Sequence, residues 1–145
     1  MKNIFHFEIV YIRRLHSKFI TSGGSMANIM IVDDETELLT LYSEMLMVFG
    51  HTIVSAVPNG DEAIKDYMEL EEKPDLIILD HRMPLRNGLE TATAILNMDP
   101  DEKIIFISAD PSIKRAALEI GAVEFLEKPF VLNDFKEIVQ KVLKY

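Results

Sequence analysis

Five times along the chain a short aliphatic run gives way to a segment with helical spacing, in strict alternation. The runs are "NIMIVD", "TIVSAV", "DLIILD", "KIIFIS" and "AVEFLEK". Each is too short and too continuously apolar to be one face of a surface hairpin. The segments between them are amphipathic. "ETELLTLYSEMLMVFG" places Leu38, Leu41, Tyr42, Met45 and Phe49 at helical intervals and stops at Gly50. "NGDEAIKDYMELEE" starts at Asn59, a capping residue, and carries Ala63, Ile64, Tyr67 and Leu70 on one face. "NGLETATAILNM" has Asn87 and Glu90 in capping-box spacing. "PSIKRAALEIG" opens on Pro111 and closes on Gly121, and "VLNDFKEIVQKVLKY" is a last amphipathic helix. Apolar strands separated by helices predict an α/β fold: a parallel sheet covered on both faces.

Such a sheet gathers its functional groups at one edge, because all parallel strands end on the same side. The first run ends in Asp33 and Asp34, the third in Asp80, the fourth in Ser108 and the fifth in Lys128. These five residues are expected to share one pocket. Two or three carboxylates in reach of one another repel: at about 4 Å a pair costs on the order of 4 kcal/mol at an effective dielectric near 20. A hard divalent cation relieves the repulsion, and oxygen ligands with room for water and phosphate suit Mg²⁺. A carboxylate can also act as nucleophile toward phosphorus, forming an aspartyl phosphate. Mg²⁺, the Lys128 ammonium and the Ser108 hydroxyl would then partner the new dianion.

Charge and composition narrow the partners. Four cations stand against Glu8 before Met26, whereas 11 Lys+Arg stand against 23 Asp+Glu from Met26 onward. An acidic body repels phosphate backbones, so direct nucleic-acid binding is not expected. The absence of cysteine excludes disulfides and thiolate metal sites and fits a cytoplasmic protein. The Ser-Gly-Gly-Ser stretch before Met26 divides the 145 residues into an extension and linker, 1–26, and a body, 27–145. The longest apolar run of the extension is residues 9–12, far below the ~20 needed to span a bilayer. Three readings of residues 1–25 stay open. They form a partner-binding or membrane-surface helix, or an element packed on the body, or upstream sequence translated ahead of a natural start at Met26.

The motifs "VDDE", "LDHRMPLRNG", "ISA" and "GAVEFLEKPF" together resemble the receiver domain of two-component response regulators, of the chemotaxis-receiver kind. The resemblance covers residues 27–145. It implies a flavodoxin-like (βα)5 fold with strand order 2-1-3-4-5. Asp80 would be the phosphoacceptor. Asp33 and Asp34 would hold Mg²⁺ together with Asp80 and the backbone carbonyl of Arg82. Ser108 would be the hydroxyl of the switch, Phe125 its aromatic partner, and Lys128 the cation paired with the phosphoryl group. Lys128–Pro129 would be a cis bond. The function implied is phosphorelay signal transduction. A histidine kinase or phosphotransfer protein donates to Asp80, and a downstream protein reads the face of the fourth helix, fifth strand and fifth helix. With no output domain after Tyr145, a stand-alone receiver is expected, with no enzymatic turnover beyond its own phosphorylation and slow dephosphorylation. Arg82 and Asp110 lie two residues beyond Asp80 and Ser108 and are expected to pair and screen the phosphoryl group.

Two other classes remain. A Mg²⁺-dependent phosphohydrolase would also use an aspartyl phosphate, but needs a second Asp where Arg82 stands. A phosphorylation-independent interaction module would need neither Ser108 nor Lys128. Several residues carry plainer readings. His81 is expected to be loop-exposed, Met83-Pro84 a turn brace, and Phe125 part of the core as well as the switch. Met45 and Met47 are either core filler or part of a kinase-docking face, filler being the default.

Overall fold

The computed structural model describes residues 26–143; the readings of residues 1–25 lie outside them. Five strands, β1 (Asn28–Val32), β2 (Thr52–Val57), β3 (Leu76–Asp80), β4 (Ile104–Ser108) and β5 (Glu124–Glu127), form one sheet in the order β2-β1-β3-β4-β5. Every neighbouring pair is parallel. Five helices connect and follow them: α1 (Thr36–Val48), α2 (Gly60–Glu69), α3 (Gly88–Met98), α4 (Lys114–Ile120) and α5 (Leu132–Leu143).

The aliphatic runs are continuous because each strand of the middle of the sheet faces helices on both sides. Strand parity sorts the side chains. Ile29, Ile31, Ile78, Ile105 and Ile107 pack against α1 and α5 through Leu41, Met45, Leu46, Phe135 and Val139. Met30, Val32, Ile77, Leu79 and Phe106 pack against α2, α3 and α4 through Ala63, Tyr67, Ala92, Ile95 and Ala117. Fully burying one such side chain contributes roughly 1.5–3 kcal/mol, so these two layers carry most of the fold. Tyr42, Phe130 and Phe135 stack with centroids 5.6 to 6.1 Å apart, tying α1 to the β5–α5 segment.

The helix starts follow their capping residues. Asn59 Oδ1 accepts the Glu62 amide at 2.9 Å, and Asn87 and Glu90 form the reciprocal box. The fourth helix departs from expectation: its first turn, Pro111–Ile113, is 3-10, and α-geometry begins at Lys114. Asp110 accounts for this, since its Oδ1 accepts the Ser112 amide at 3.0 Å and tightens the turn. Gly121, at φ +117°, ends α4 in the left-handed conformation that glycine adopts without strain. β5 starts at Glu124, two residues later than its apolar run, because the Ala122 amide still turns back to the Ala117 carbonyl of α4 and residue pairing with β4 begins only at Glu124. Met45 is core, at 2% exposure, whereas Met47 points outward at 50%. Among the described residues no helix is long and apolar enough to cross a membrane.

Candidate functional site

The carboxyl edge of the sheet brings together residues at or just beyond the ends of β1, β3 and β5, from positions up to 95 apart in the chain. Asp33, Asp34 and Asp80 each offer a carboxylate oxygen within 4.8 Å of the other two. Asp33 and Asp80 are buried and Asp34 is exposed, so the cluster has a closed floor and an open mouth. The Lys128 ammonium lies 3.4 Å from Asp33 Oδ2 and 3.4 Å from Asp80 Oδ1, bridging the two buried acids. Lys128 reaches them because its backbone is anchored to β4: its amide donates to the Ser108 carbonyl at 2.9 Å. The bond after it, Lys128–Pro129, is cis.

Asp33 does not simply cap α1. Its Oδ1 accepts the Glu35 amide at 2.9 Å, and Glu35 occupies the cap position without a side-chain bond. That leaves Asp33 Oδ2 for the cluster. Burial pushes the Asp33 carboxyl up, against the pull of the Glu35 amide and Lys128. Burial and then the Asp33 charge push Asp80 up to about 7, with Lys128 opposing. One lysine therefore does not neutralise the cluster. An all-oxygen donor set with surplus negative charge and an exposed third carboxylate fits a hard divalent cation.

Ser108 ends β4, 1% exposed, and its Oγ accepts the Asp110 amide at 3.1 Å. Asp80 pairs in register with Ile107, so Ser108 sits one residue beyond the acid on the adjacent strand. Phe125 pairs with Phe106, half-buried against the α2–α4 layer rather than within the acidic cluster. Arg82, in the loop after β3, meets Asp110, in the loop after β4, at 3.6 Å. His81 departs from expectation. It is half-buried, its Nδ1 has no hydrogen-bond partner among the described residues, and burial lowers its pKa. Tyr42 was not foreseen at the site. It stands close enough for Asp33, Asp80 and Glu35 to hold its phenol protonated, after burial, and only the helical spacing of α1 hinted at its inward direction.

The loop that returns from Asp80 to α3 is closed by Gly88. Its amide donates to the His81 carbonyl at 2.8 Å. A β-carbon there would lie 2.4 Å from the Asp80 carbonyl oxygen and 2.8 Å from His81 Cα, both backbone atoms that cannot step aside. Gly88→Ala is expected to destabilise by about 2–4 kcal/mol, read by denaturant unfolding. Wild-type stability would show that this contact is loose.

A family model for the response regulator receiver domain matches residues 29–140. The transcriptional regulatory protein PrrA of Mycobacterium tuberculosis is 34% identical over 125 residues, 85% of this chain. The match spans only 52% of PrrA, about half its length. Chemotaxis protein CheY of Thermotoga maritima is 33% identical over 80% of this chain and 97% of its own. Among solved structures, TrrA of Thermotoga maritima in complex with Mg(2+)-BeF superposes with TM-score 0.72 at 36% identity, over 81% of this chain and 99% of that one. CheY in the CheX-CheY-BeF3-Mg+2 complex of Borrelia burgdorferi gives TM-score 0.77 at 26% identity, over 81% and 90%. Parallel order 2-1-3-4-5, the acidic carboxyl edge and these likenesses converge: the chain belongs to the response regulator receiver domain family, the signalling modules of two-component systems.

Proposed function

We propose that residues 27–145 form a receiver whose Asp80 accepts a phosphoryl group from a phosphohistidine on a histidine kinase or phosphotransfer protein. The observation that carries this reading is the cluster of Asp33, Asp34 and Asp80 with Lys128 bridging the two buried acids. Asp33, Asp34, Asp80 and the backbone carbonyl of Arg82 would hold Mg²⁺, which when bound would neutralise charge on the carboxylates and on the incoming phosphoryl oxygens. An Asp80 oxygen attacks phosphorus, the P–N bond of the donor breaks, and its electron pair returns to the imidazole nitrogen. Lys128 then pairs with the phosphoryl oxygens, and Ser108 releases the Asp110 amide to donate its hydroxyl hydrogen to them. Phe125, beside Phe106 on the sheet edge, follows into the space so opened. The surface of α4, β5 and α5 changes with it, and a downstream protein reads the difference as a population shift. The donor approaches over an apolar groove beside Lys128, lined by Leu38, Leu41 and Tyr42 of α1 and by Pro129 and Phe130. The acidic body favours contacts with proteins rather than nucleic acid, and the absence of cysteine favours the cytoplasm.

Incubation with a small phosphodonor and Mg²⁺ tests this. A single equivalent of acid-stable, base-labile label supports the receiver. Continuous release of phosphate from many substrate equivalents points instead to a phosphohydrolase, and no label to an interaction module.

Arg82 and Asp110 pair at 3.6 Å, two residues beyond Asp80 and Ser108, and in this reading the pair screens the phosphoryl group from water. Arg82→Ala is expected to shorten the phosphoryl lifetime several-fold, measured as decay of label after donor removal. Its stability cost stays within about 1 kcal/mol, since the Arg82 side chain is 75% exposed. An unchanged decay rate would show that the pair does not gate water.

A further inference from the structure

The opposite pole of the sheet, remote from Asp80, holds a second group of interacting acids. Tyr67 of α2 is buried, and its hydroxyl oxygen lies 3.0 Å from Glu102 Oε2 and 3.4 Å from Asp99 Oδ2. Both acids belong to the α3–β4 connection. Glu102 is only 6% exposed, and its Oε1 has no hydrogen-bond partner among the described residues. A phenol carries one hydrogen and cannot serve two carboxylates at once. With both acids ionised, one of the two contacts would set oxygen against oxygen, and the buried Glu102 anion would have only the Tyr67 hydroxyl and the Lys103 amide to offset its charge. If Glu102 keeps a proton, the oxygen–oxygen contact becomes a hydrogen bond and Oε1 is left as a neutral carbonyl oxygen, which costs far less to bury than an anionic one. Its Oε2–H then donates to the Tyr67 oxygen, and the Tyr67 hydrogen passes on to Asp99 Oδ2.

We propose that Glu102, Tyr67 and Asp99 form a proton-held latch that fastens the α3–β4 loop to α2 and weakens when Glu102 ionises. The surrounding charges act in one direction. Asp75 from the α2–β3 loop and Asp99 both raise the proton affinity of Glu102, and Asp101 lines the same hollow. The two nearby ammonium groups are committed elsewhere. Lys73 sits 5.0 Å over the Tyr67 ring and donates to the Tyr67 and Leu70 carbonyls at the end of α2. Lys103 donates to the Val142 carbonyl at the end of α5. Burial is the largest cause of a Glu102 pKa raised to about 7; the Tyr67 hydroxyl and the Lys103 amide oppose it. The sign follows. Folded Glu102 holds its proton above the unfolded value of 4.5, so the latch contributes fully below that pH. Its contribution falls as pH rises and is lost above about 7.

Asp80 titrates in the same window, so the test compares the full chain with Glu102→Gln, which copies the protonated acid and leaves Asp80 untouched. Unfolding constants are measured by denaturant at about pH 5.5 and about pH 8.5. The wild-type to variant ratio is expected to rise roughly tenfold or more between them. A ratio that does not change with pH overturns the latch. A second measurement needs no variant: the ¹³C shift of the Glu102 carboxyl in the labelled wild type. A midpoint above about 6 supports the latch, and one below about 5, the ordinary carboxylate range, overturns it.

Discussion

Asp80→Asn is expected to lose phosphoryl acceptance by roughly 10³-fold or more while making the metal-free protein more stable. The first effect follows from the loss of the nucleophile, since an amide has no anionic oxygen to attack phosphorus. The second follows from the cost of holding Asp80 where it is. The acid is 6% exposed beside Asp33, and burial followed by the Asp33 charge raises its pKa from 3.8 to about 7. The folded state therefore holds a proton that the unfolded state releases, and stability falls as pH rises through that window. At about pH 8 the full cost is present, at about pH 5 little of it. Asn removes the charge but also the contact with Lys128, so the gain is expected to be about 2–3 kcal/mol at the higher pH. In melting temperature this is on the order of 10 °C. Mg²⁺ should raise the melting temperature of the wild type and leave the variant much less changed. A variant no more stable than wild type at about pH 8 would mean that Asp80 is not under repulsion.

Lys128→Ala is expected to produce the opposite stability change at the same site. The ammonium bridges Asp33 and Asp80 at 3.4 Å each, and its removal leaves two buried acids with no cation. Breaking a buried pair costs about 3–5 kcal/mol when the remaining charge persists. Here Asp80 can take up a proton, so the loss is expected to be about 2–3 kcal/mol at about pH 8 and small at about pH 5. Phosphoryl acceptance is expected to drop by roughly 10²-fold, because the variant lacks the fixed cation that meets the developing charge. A pH-independent stability loss would indicate that Lys128 acts by packing its stem, and full labelling would remove it from the chemistry.

The fold was readable because its local signals agree. The five apolar runs, the Asn59 and Asn87 caps and the Gly121 stop each stand where an element begins or ends. The acids at the ends of β1 and β3 were readable too, since parallel strands end on one edge. What could not be read depends on distance in the chain. The sequence placed Lys128 in the pocket with the acids, but nothing near it reveals that its ammonium bridges the two buried ones, Asp33 and Asp80, rather than pairing with Asp80 alone. His81 looked like a loop histidine, but the turn closed by Gly88 presses the loop against the end of β3 and half-buries the ring. Tyr67, read only as a helix-face residue, meets Glu102 because α2 and the α3–β4 loop pack at the same pole, 35 residues apart.

The most direct measurement is the position of the phosphoryl group. After brief exposure to a small phosphodonor with Mg²⁺, reductive trapping and peptide mass spectrometry locate the modified residue. Modification at Asp80 alone, absent when Mg²⁺ is removed, is the expected result. Modification at His81, at another acid, or equally well without the metal would contradict a cation-assisted acceptor built from Asp33, Asp34, Asp80 and Lys128.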